Sequence, residues 1–302
     1  MKNKVFAAMM AAVMMLGMTA CASSGEAKAS ETQSEAPAQS EAESSAAEAS
    51  VAEASQPAET GDAVELTVFA AASMTETLTE IAELYKAVEP NVSLVFNFDS
   101  SGTLKEQIEQ GAACDLFISA GQKQMNQLDS TADPEVNTDG LDFVEQGTRI
   151  NLLENKVVLV VPEGNPKSIQ SFSDIAKKAD LVALGNEDVP VGQYSAEILT
   201  NLGIMDELEQ SGKITYGSNV KEVTTQVAEG TADCGIVYQT DAFSAKLNYV
   251  DSADADLCSP AIYPAAILKH SEHADEAQAF LDYLKTEQAG KVFEGVGFQA
   301  LS

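Results

Sequence analysis

Short apolar runs alternate with longer segments of helical periodicity along most of this chain. Each run predicts a buried strand, and each segment whose apolar residues recur every third or fourth position predicts a helix. Strands that alternate with helices favour parallel βαβ units, so the pattern predicts an α/β fold. The predicted strands are residues 66–72, 92–98, 115–119, 156–161, 181–184, 214–216 and 234–238.

The stretch around Ser73 places a hydroxyl between a strand and a helix. Ser73 follows the first apolar run, and Leu78, Ile81 and Tyr85 mark the helix after it. With Glu76 three residues later, Ser73 has the form of a capping box, which predicts Ser73 as the N-cap. A helix N-terminus has unpaired N–H groups and a positive dipole end, which favour an anion. A single such motif more often serves only its helix.

The same strand-to-helix arrangement occurs three more times in the chain. Two of the four junctions belong to a first βα series and two to a second. Ligands of open α/β sheets bind outside the carboxyl ends of the strands, so two facing lobes with two junctions each would form an anion site between them. The four junctions are Ser73, Ser100/Ser101, Val191/Gly192 and Asn219/Val220.

The first 21 residues have the features of a signal peptide. Lys2 and Lys4 precede an apolar segment too short to span a membrane, and small residues lead to Cys21. This junction resembles a bacterial lipoprotein signal, so Cys21 is expected to be the lipidated first residue of the mature chain; ordinary secretion is the alternative. Residues 22–63, rich in Ala, Ser and Glu, predict a disordered tether.

The net charge and the positions of the cysteines and histidines argue against nucleic acid and metal cations as partners. Acidic residues outnumber basic residues 47 to 17, which argues against a nucleic-acid partner. Cys114, Cys234 and Cys258 lack the spacing of a zinc site and, being odd in number, do not form a complete disulfide set; the first two are expected to be small core residues. His270 and His273 lie in a polar segment and make a poor metal site. We therefore expect no cofactor and no site for a free metal cation.

Five motifs carry a resemblance to a known family. The chain resembles the substrate-binding proteins of molybdate ABC importers, which have the type II periplasmic-binding-protein fold. The motifs follow one another in the family's order over nearly all of residues 66–298. They are FAAASMTE at 69–76, FDSSGTLKEQIEQGAACDLFISA at 98–120, GNEDVPVGQY at 185–194, SNVKEV at 218–223 and GIVYQTDA at 235–242.

The resemblance implies two lobes, each a mainly parallel sheet flanked by helices, with the ligand in the cleft between them. We expect residues 64–150 and 243–302 to form lobe 1 and residues 151–242 to form lobe 2. The chain would cross between them near 149–155 and 242–244. The implied protein is a monomer outside the cytoplasm, anchored to the bacterial cell membrane by lipid, that delivers molybdate or tungstate to the membrane subunits of an ABC permease.

The resemblance also implies which residues bind the oxyanion. Ser73 and Ser101 would donate their hydroxyl and N–H groups, Val191 and Val220 their backbone N–H groups, and Tyr238 its phenolic O–H. The alternative for Tyr238 is a hydroxyl bonded to a loop carbonyl. A site made only of donors satisfies molybdate, a dianion without a proton, and leaves the O–H of hydrogen phosphate without an acceptor. Molybdenum would enter only as this oxyanion.

Two other functions remain open from the sequence. Another tetrahedral oxyanion, sulfate or phosphate, is the nearest alternative, and Asp99 bears on it: an inward carboxylate would accept the proton of hydrogen phosphate. We expect Asp99 to face outward or to cap the next helix. A secreted hydrolase with Ser73 or Ser101 as nucleophile is more distant, because no histidine lies near either motif and no G-x-S-x-G sequence is present. We therefore expect no enzyme activity. Arg149, the only arginine, is expected to form an ion pair at the surface or hinge.

Overall fold

A computed structural model describes residues 63–301 of the 302-residue chain. The predicted signal peptide, the lipidation site at Cys21 and the tether as far as residue 62 lie outside the described residues. Between residues 63 and 301, no helix is long and apolar enough to cross a membrane.

The described residues contain eleven strands and ten α-helices. The strands are β1 (Val64–Ala71), β2 (Val92–Asp99), β3 (Leu116–Ile118), β4 (Ile150–Asn155), β5 (Val157–Val161), β6 (Val182–Gly185), β7 (Ile214–Gly217), β8 (Cys234–Tyr238), β9 (Asn248–Ser252), β10 (Ala261–Ile267) and β11 (Gln299–Ala300). The helices are α1 (Thr75–Tyr85), α2 (Ser101–Glu109), α3 (Gln122–Leu128), α4 (Ile175–Lys178), α5 (Pro190–Asn201), α6 (Met205–Gln210), α7 (Val220–Ala228), α8 (Gln239–Ser244), α9 (Ala274–Tyr283) and α10 (Glu287–Val296).

The strands form two sheets, which define two lobes. The first lobe contains the six-stranded sheet in the order β11-β4-β10-β3-β1-β2, and the second lobe contains the five-stranded sheet in the order β7-β6-β8-β5-β9. The predicted two-lobed α/β fold is therefore confirmed. The sheets are mixed rather than mainly parallel, because β10 runs antiparallel to β3 and β4, and β5 runs antiparallel to β8 and β9.

The chain passes between the sheets at two places. The first comes after β4, so residues 151–155, which were expected in lobe 2, lie in the first sheet. Lys156 alone separates β4 of the first sheet from β5 of the second. The predicted return at 242–244 is wrong, because β9 still pairs with β5 and the chain rejoins the first sheet only at β10. Every residue of β9 is exposed or half-buried, as suits an edge strand, so it has no apolar run to predict it.

Strand register brings the ends of neighbouring strands level with each other. In the first sheet Ala71 at the end of β1 lies beside Asp99 at the end of β2. In the second sheet Gly185 at the end of β6 lies beside Gly217 at the end of β7. The helices that follow these four strands therefore start at matching edges of the two sheets.

The three cysteines of the described chain are core residues. Cys114, Cys234 and Cys258 are all buried and unpaired, which confirms the core assignment made for the first two and resolves the question of disulfides. Burial raises the pKa of each thiol. Within residues 63–301 no group of three His, Cys, Asp or Glu side chains is placed to hold a metal ion.

Candidate functional site

Ser73 and Ser101 lie at the N-terminal ends of the two helices that follow β1 and β2. Ser73 lies in a short 3₁₀ turn, Ala72–Met74, that leads into α1. Ser101 is the first residue of α2, and the side chain of the preceding Ser100 accepts a hydrogen bond from the N–H of Thr103 at 3.1 Å. The N–H groups of these first turns have no partner within their own helices. Both serines therefore combine a hydroxyl with free backbone donors.

The predicted capping role of Ser73 is wrong. The 3₁₀ turn starts after Ala71, and within the described residues no side chain caps it or α1. The Ser73 hydroxyl instead lies 2.9 Å from the Tyr263 hydroxyl of β10. Glu76 points away from the cavity described below and accepts two hydrogen bonds from Lys221 of the second lobe, at 2.7 and 2.8 Å. The capping-box sequence is present, but the side chains of Ser73 and Glu76 form hydrogen bonds to residues distant in the chain instead of capping the helix.

Val191 and Val220 supply the corresponding helix starts in the second lobe. Pro190 is the first residue of α5 and has no N–H, so Val191 carries the first N–H of that helix. Val220 is the first residue of α7, and the side chain of the preceding Asn219 accepts from the N–H of Glu222 at 3.1 Å. Capping of α7 by Asn219 leaves the N–H of Val220 unpaired within the helix.

All five predicted ligand-binding residues line one small cavity between the lobes. Its volume is about 10 Å³, the space of about one water molecule. The five are closed off from solvent, and none is more than 4% exposed. The lining residues are Ala71, Ala72, Ser73, Asp99, Ser100, Ser101, Ala120, Val189, Pro190, Val191, Val220 and Tyr238. Neither Lys nor Arg is among them, and neither is a histidine.

Ala120, which the sequence analysis did not single out, connects the two lobes at this cavity. Its N–H donates to the Ser101 hydroxyl at 2.9 Å, and its carbonyl accepts from the Tyr238 hydroxyl at 3.0 Å. The Tyr238 side chain thus has the loop-carbonyl partner that was the alternative to ligand binding. Burial raises the pKa of Tyr238 well above its ordinary value, so the phenol keeps its proton.

Asp99 lies in the wall of the cavity, contrary to the prediction that it faces outward. Its Oδ1 atom accepts from the N–H of Ser100 at 2.7 Å and lies 3.4 Å from the side-chain nitrogen of Asn219. Ser100, and not Asp99, caps α2. A half-buried carboxylate therefore stands beside four helix N-termini, with one of its oxygens engaged.

Two glycines allow the lobes to meet above this cavity. A Cβ atom on Gly102 would come within 2.2 Å of the carbonyl oxygen of Asp188, and one on Gly121 within 3.1 Å of Pro190. The side-chain nitrogen of Gln124 adds a long hydrogen bond to the Asp188 carbonyl at 3.4 Å. The sequence gives Gly102 only as part of the SSGT motif. Its close approach to Asp188 could not be predicted, because Asp188 is distant in the chain.

Arg149 and the histidines lie away from this cavity. Arg149 forms an ion pair with Asp129 at 2.8 Å, which agrees with its predicted role. Burial acts to raise the pKa of Asp129, but the hydrogen bonds from Thr131 and the ion pair with Arg149 together hold it below its usual value. His270 and His273 line a separate, larger surface cavity.

Comparison with known proteins identifies the family. A family model described as "Bacterial extracellular solute-binding protein" matches residues 66–299. The "Putative ABC transporter substrate-binding lipoprotein YvgL" of Bacillus subtilis is 40% identical over 239 residues, covering 78% of this chain and 87% of that protein. The molybdate-binding protein ModA of Haemophilus influenzae is 36% identical over 245 residues, covering 78% and 90%.

A solved structure supports the same fold. The periplasmic molybdate-binding protein of Azotobacter vinelandii superposes with a TM-score of 0.67 over 78% of this chain and 100% of its own; its 23% identity shows the shared fold alone. The two-sheet architecture and the small cavity between the lobes are consistent with the family whose model matches residues 66–299. This chain belongs to the family of bacterial extracellular solute-binding proteins.

Proposed function

We propose that this protein captures molybdate, or the nearly isosteric tungstate, outside the cytoplasm and delivers it to the membrane subunits of an ABC permease. Relatives named as molybdate-binding proteins are 36% identical over most of the chain. The protein acts as a receptor and has no catalytic role. The transported oxyanion is its ligand, and it needs no cofactor.

The observation that carries the proposal is the convergence of four helix N-termini on one small cavity between the lobes without a cationic lining residue. An oxyanion there is bound by the hydroxyls of Ser73 and Ser101 and by backbone N–H groups, including those of Val191 and Val220. Each hydrogen bond to a charged group contributes about 1.5–3 kcal/mol, so several of them outweigh the desolvation of a dianion. Four positive dipole ends act in the same direction, against the net charge of −30.

Tyr238 contributes less binding free energy to the site than the two serines do. To donate to the ligand, its hydroxyl must leave the carbonyl of Ala120, to which it now donates at 3.0 Å. The new bond to a charged oxygen is worth about 1.5–3 kcal/mol, but leaving a buried acceptor unpaired costs about 1–3 kcal/mol. Exchanging the Ala120 carbonyl for a ligand oxygen therefore changes the free energy little, and the two serine hydroxyls contribute more to binding than Tyr238.

Hydrogen phosphate is the second candidate ligand, because Asp99 stands in the cavity wall. Its Oδ1 atom is engaged with Ser100, which leaves Oδ2 as an acceptor for the ligand's O–H. Molybdate at neutral pH has no such proton, and the same carboxylate repels it. The two candidates therefore predict opposite effects of removing the charge of Asp99.

Calorimetric titration of the purified protein with molybdate, tungstate, sulfate and phosphate tests the proposal. We expect molybdate and tungstate to bind much more tightly than the other two, and Asp99→Asn to keep or increase the affinity for molybdate. Tighter binding of phosphate that is lost in Asp99→Asn would establish the second candidate instead. Tighter binding of sulfate would also contradict the molybdate assignment.

Anchoring and assembly form a further part of the proposal. Cys21 is the lipid-bearing first residue of the mature chain, and residues 22–63 tether the folded part to the bacterial membrane as a monomer. The similarity to a relative named as a lipoprotein supports the anchor. Metabolic labelling with a fatty acid should modify the wild-type protein and not Cys21→Ser; labelling of both would refute Cys21 as the site.

A further inference from the structure

A buried chain of hydrogen bonds leads from the strand crossing to the cavity. It contains Asn155 at the end of β4, Tyr263 in β10 and Ser73 at the cavity, with Thr240 of α8 at its side. Asn155 Nδ2 lies 2.9 Å from Thr240 Oγ1 and 3.2 Å from Tyr263 Oη, and Tyr263 Oη lies 2.9 Å from Ser73 Oγ. All four residues are buried.

The direction of the first bond follows from a backbone group. The N–H of Lys156 donates to Asn155 Oδ1 at 2.9 Å, and a backbone N–H can only donate. This identifies the Asn155 oxygen, so the other side-chain atom is the NH₂ group. That group donates to both Thr240 and Tyr263.

The direction of the second bond then follows from Tyr263. Its hydroxyl accepts from Asn155, and within residues 63–301 Ser73 Oγ is its one remaining hydrogen-bond partner. If Ser73 donated to it as well, the phenolic proton would be buried without an acceptor, at a cost of about 1–3 kcal/mol. Burial holds the pKa of Tyr263 well above its ordinary value, so this proton is present. Tyr263 therefore donates to Ser73.

We infer that Tyr263 and Asn155 are positioning residues that commit Ser73 to donate its proton into the cavity. Ser73 Oγ receives the proton of Tyr263 and keeps its own for the ligand. Ser101 is committed in the same way, because its oxygen accepts from the N–H of Ala120 at 2.9 Å. The two serines thus present their protons to the ligand and favour an oxyanion with no proton of its own, whereas the Asp99 carboxylate in the cavity wall acts in the opposite direction. This inference rests on the proposed function and adds the origin of its selectivity.

The test is a double-mutant cycle between Tyr263→Phe and Ser73→Ala, with molybdate affinity measured by calorimetry. Tyr263→Phe removes only the hydroxyl, and we expect the affinity to fall about twofold to tenfold. In the Ser73→Ala background, the same change should alter affinity less than about twofold, because Tyr263 acts through Ser73. A purely structural role for Tyr263 would lower affinity by the same factor in both backgrounds, and that result would overturn the inference.

Selectivity supplies a second readout. Without Tyr263 as donor, Ser73 Oγ has one more free lone pair, and its hydroxyl can turn to accept the O–H of hydrogen phosphate. Tyr263→Phe should therefore reduce the preference for molybdate over phosphate, measured by competition. An unchanged preference would contradict the inference.

Tyr85→Phe is the matched control, because the Tyr85 hydroxyl is buried in the same lobe and has no hydrogen-bond partner among the described residues. Its binding should equal that of the wild-type protein, and an equal loss of affinity in Tyr85→Phe would refute a specific role for Tyr263. If the wild-type protein prefers sulfate to molybdate, the proposed ligand is wrong, and the cycle tests the positioning role with sulfate. If it binds no oxyanion, both are wrong.

Discussion

Gly102 in the first lobe and Asp188 in the second are in contact across the closed cleft, and a Cβ atom on Gly102 would come within 2.2 Å of the Asp188 carbonyl oxygen. The opposing atom belongs to the backbone, so a side-chain rotation cannot relieve the overlap. Ser101, the neighbour of Gly102, lines the cavity. Closure of the lobes and completion of the site therefore depend on the same turn of α2.

Gly102→Ala should weaken oxyanion binding. The added methyl group keeps the lobes from closing fully, at the cost of about 1–3 kcal/mol typical of overpacking, so we expect affinity to fall about 5- to 100-fold. Gly290→Ala is the control, because a Cβ atom there meets no atom within 4 Å. Calorimetry measures the affinity and small-angle scattering the closure. Wild-type affinity in Gly102→Ala would show that the observed contact is not needed for binding.

Ser101→Ala and Tyr238→Phe should differ in their effect on affinity. Ser101 accepts from Ala120 and keeps its proton for the ligand, so its loss should cost about 1.5–3 kcal/mol, or about 10- to 100-fold. Tyr238 must first give up its bond to Ala120, so Tyr238→Phe should cost less than about threefold. Calorimetric titration with molybdate measures both. A larger loss in Tyr238→Phe would contradict the near-neutral exchange argued above.

The ion pair between Glu76 and Lys221 joins the two lobes outside the cavity. Both side chains are partly exposed, so the pair should contribute less than about 1 kcal/mol to closure. Glu76→Gln should therefore lower affinity by less than about fivefold, and the difference should shrink at high salt. Glu287→Gln, which removes a pair with Lys291 within α10, is the control and should leave affinity unchanged. A salt-independent loss in Glu76→Gln would contradict an electrostatic contribution.

Asp241 should make stability depend on pH. Burial raises its pKa from 3.8 to about 7; Glu76 acts in the same direction, and Lys221, 3.7 Å from Oδ1, opposes it. Neither carboxylate oxygen has a hydrogen-bond partner in the described part of the chain, and the buried phenols of Tyr238 and Tyr263 lie near. The folded state binds the Asp241 proton more tightly than the unfolded state. The stabilising contribution of Asp241 to the free energy of unfolding is therefore fully present below about pH 4.

That contribution should be lost as pH rises from about 4 to about 7, by up to about 4 kcal/mol. Asp241→Asn should remove this slope and be more stable than the wild-type protein above pH 7, as measured by urea unfolding across the pH range. Asp254→Asn, which changes an exposed carboxylate, serves as the control. Equal slopes in Asp241→Asn and the wild-type protein would show that another group causes the dependence.

Local patterns predicted most of the fold and the four strand-to-helix junctions that contribute residues to the cavity. The ends of β1, β2, β6 and β7 could be predicted because each strand is a largely apolar run followed by a helix start. The ligand role of Ser73, Ser101, Val191, Val220 and Tyr238 came from the family resemblance, and the structure brings all five together. Their roles toward a ligand stay predictions.

The errors arose where distant parts of the chain decide the local structure. Ser73 fits a capping box, yet its hydroxyl bonds to Tyr263, 190 positions away. The strand β9 was missed because an edge strand needs no apolar run. The inward position of Asp99 depends on the N–H of Ser100 and on Asn219 from the other lobe. No local pattern contains these partners.

The single residue between the two sheets has a consequence for altering this protein. The N–H of Lys156 donates to the side-chain oxygen of Asn155, and the carbonyl of Lys156 accepts from the N–H of Gln239 at 2.8 Å. The side-chain NH₂ group of Asn155 in turn donates to the Tyr263 hydroxyl and orients it. The joint between the lobes is thus also the far end of the hydrogen-bond chain that ends at Ser73. We therefore expect a substitution at this joint to alter lobe movement and ligand preference together. An engineer who wants a different oxyanion bound with unchanged opening should therefore alter the second-lobe helix starts and leave Asn155 and Lys156 intact.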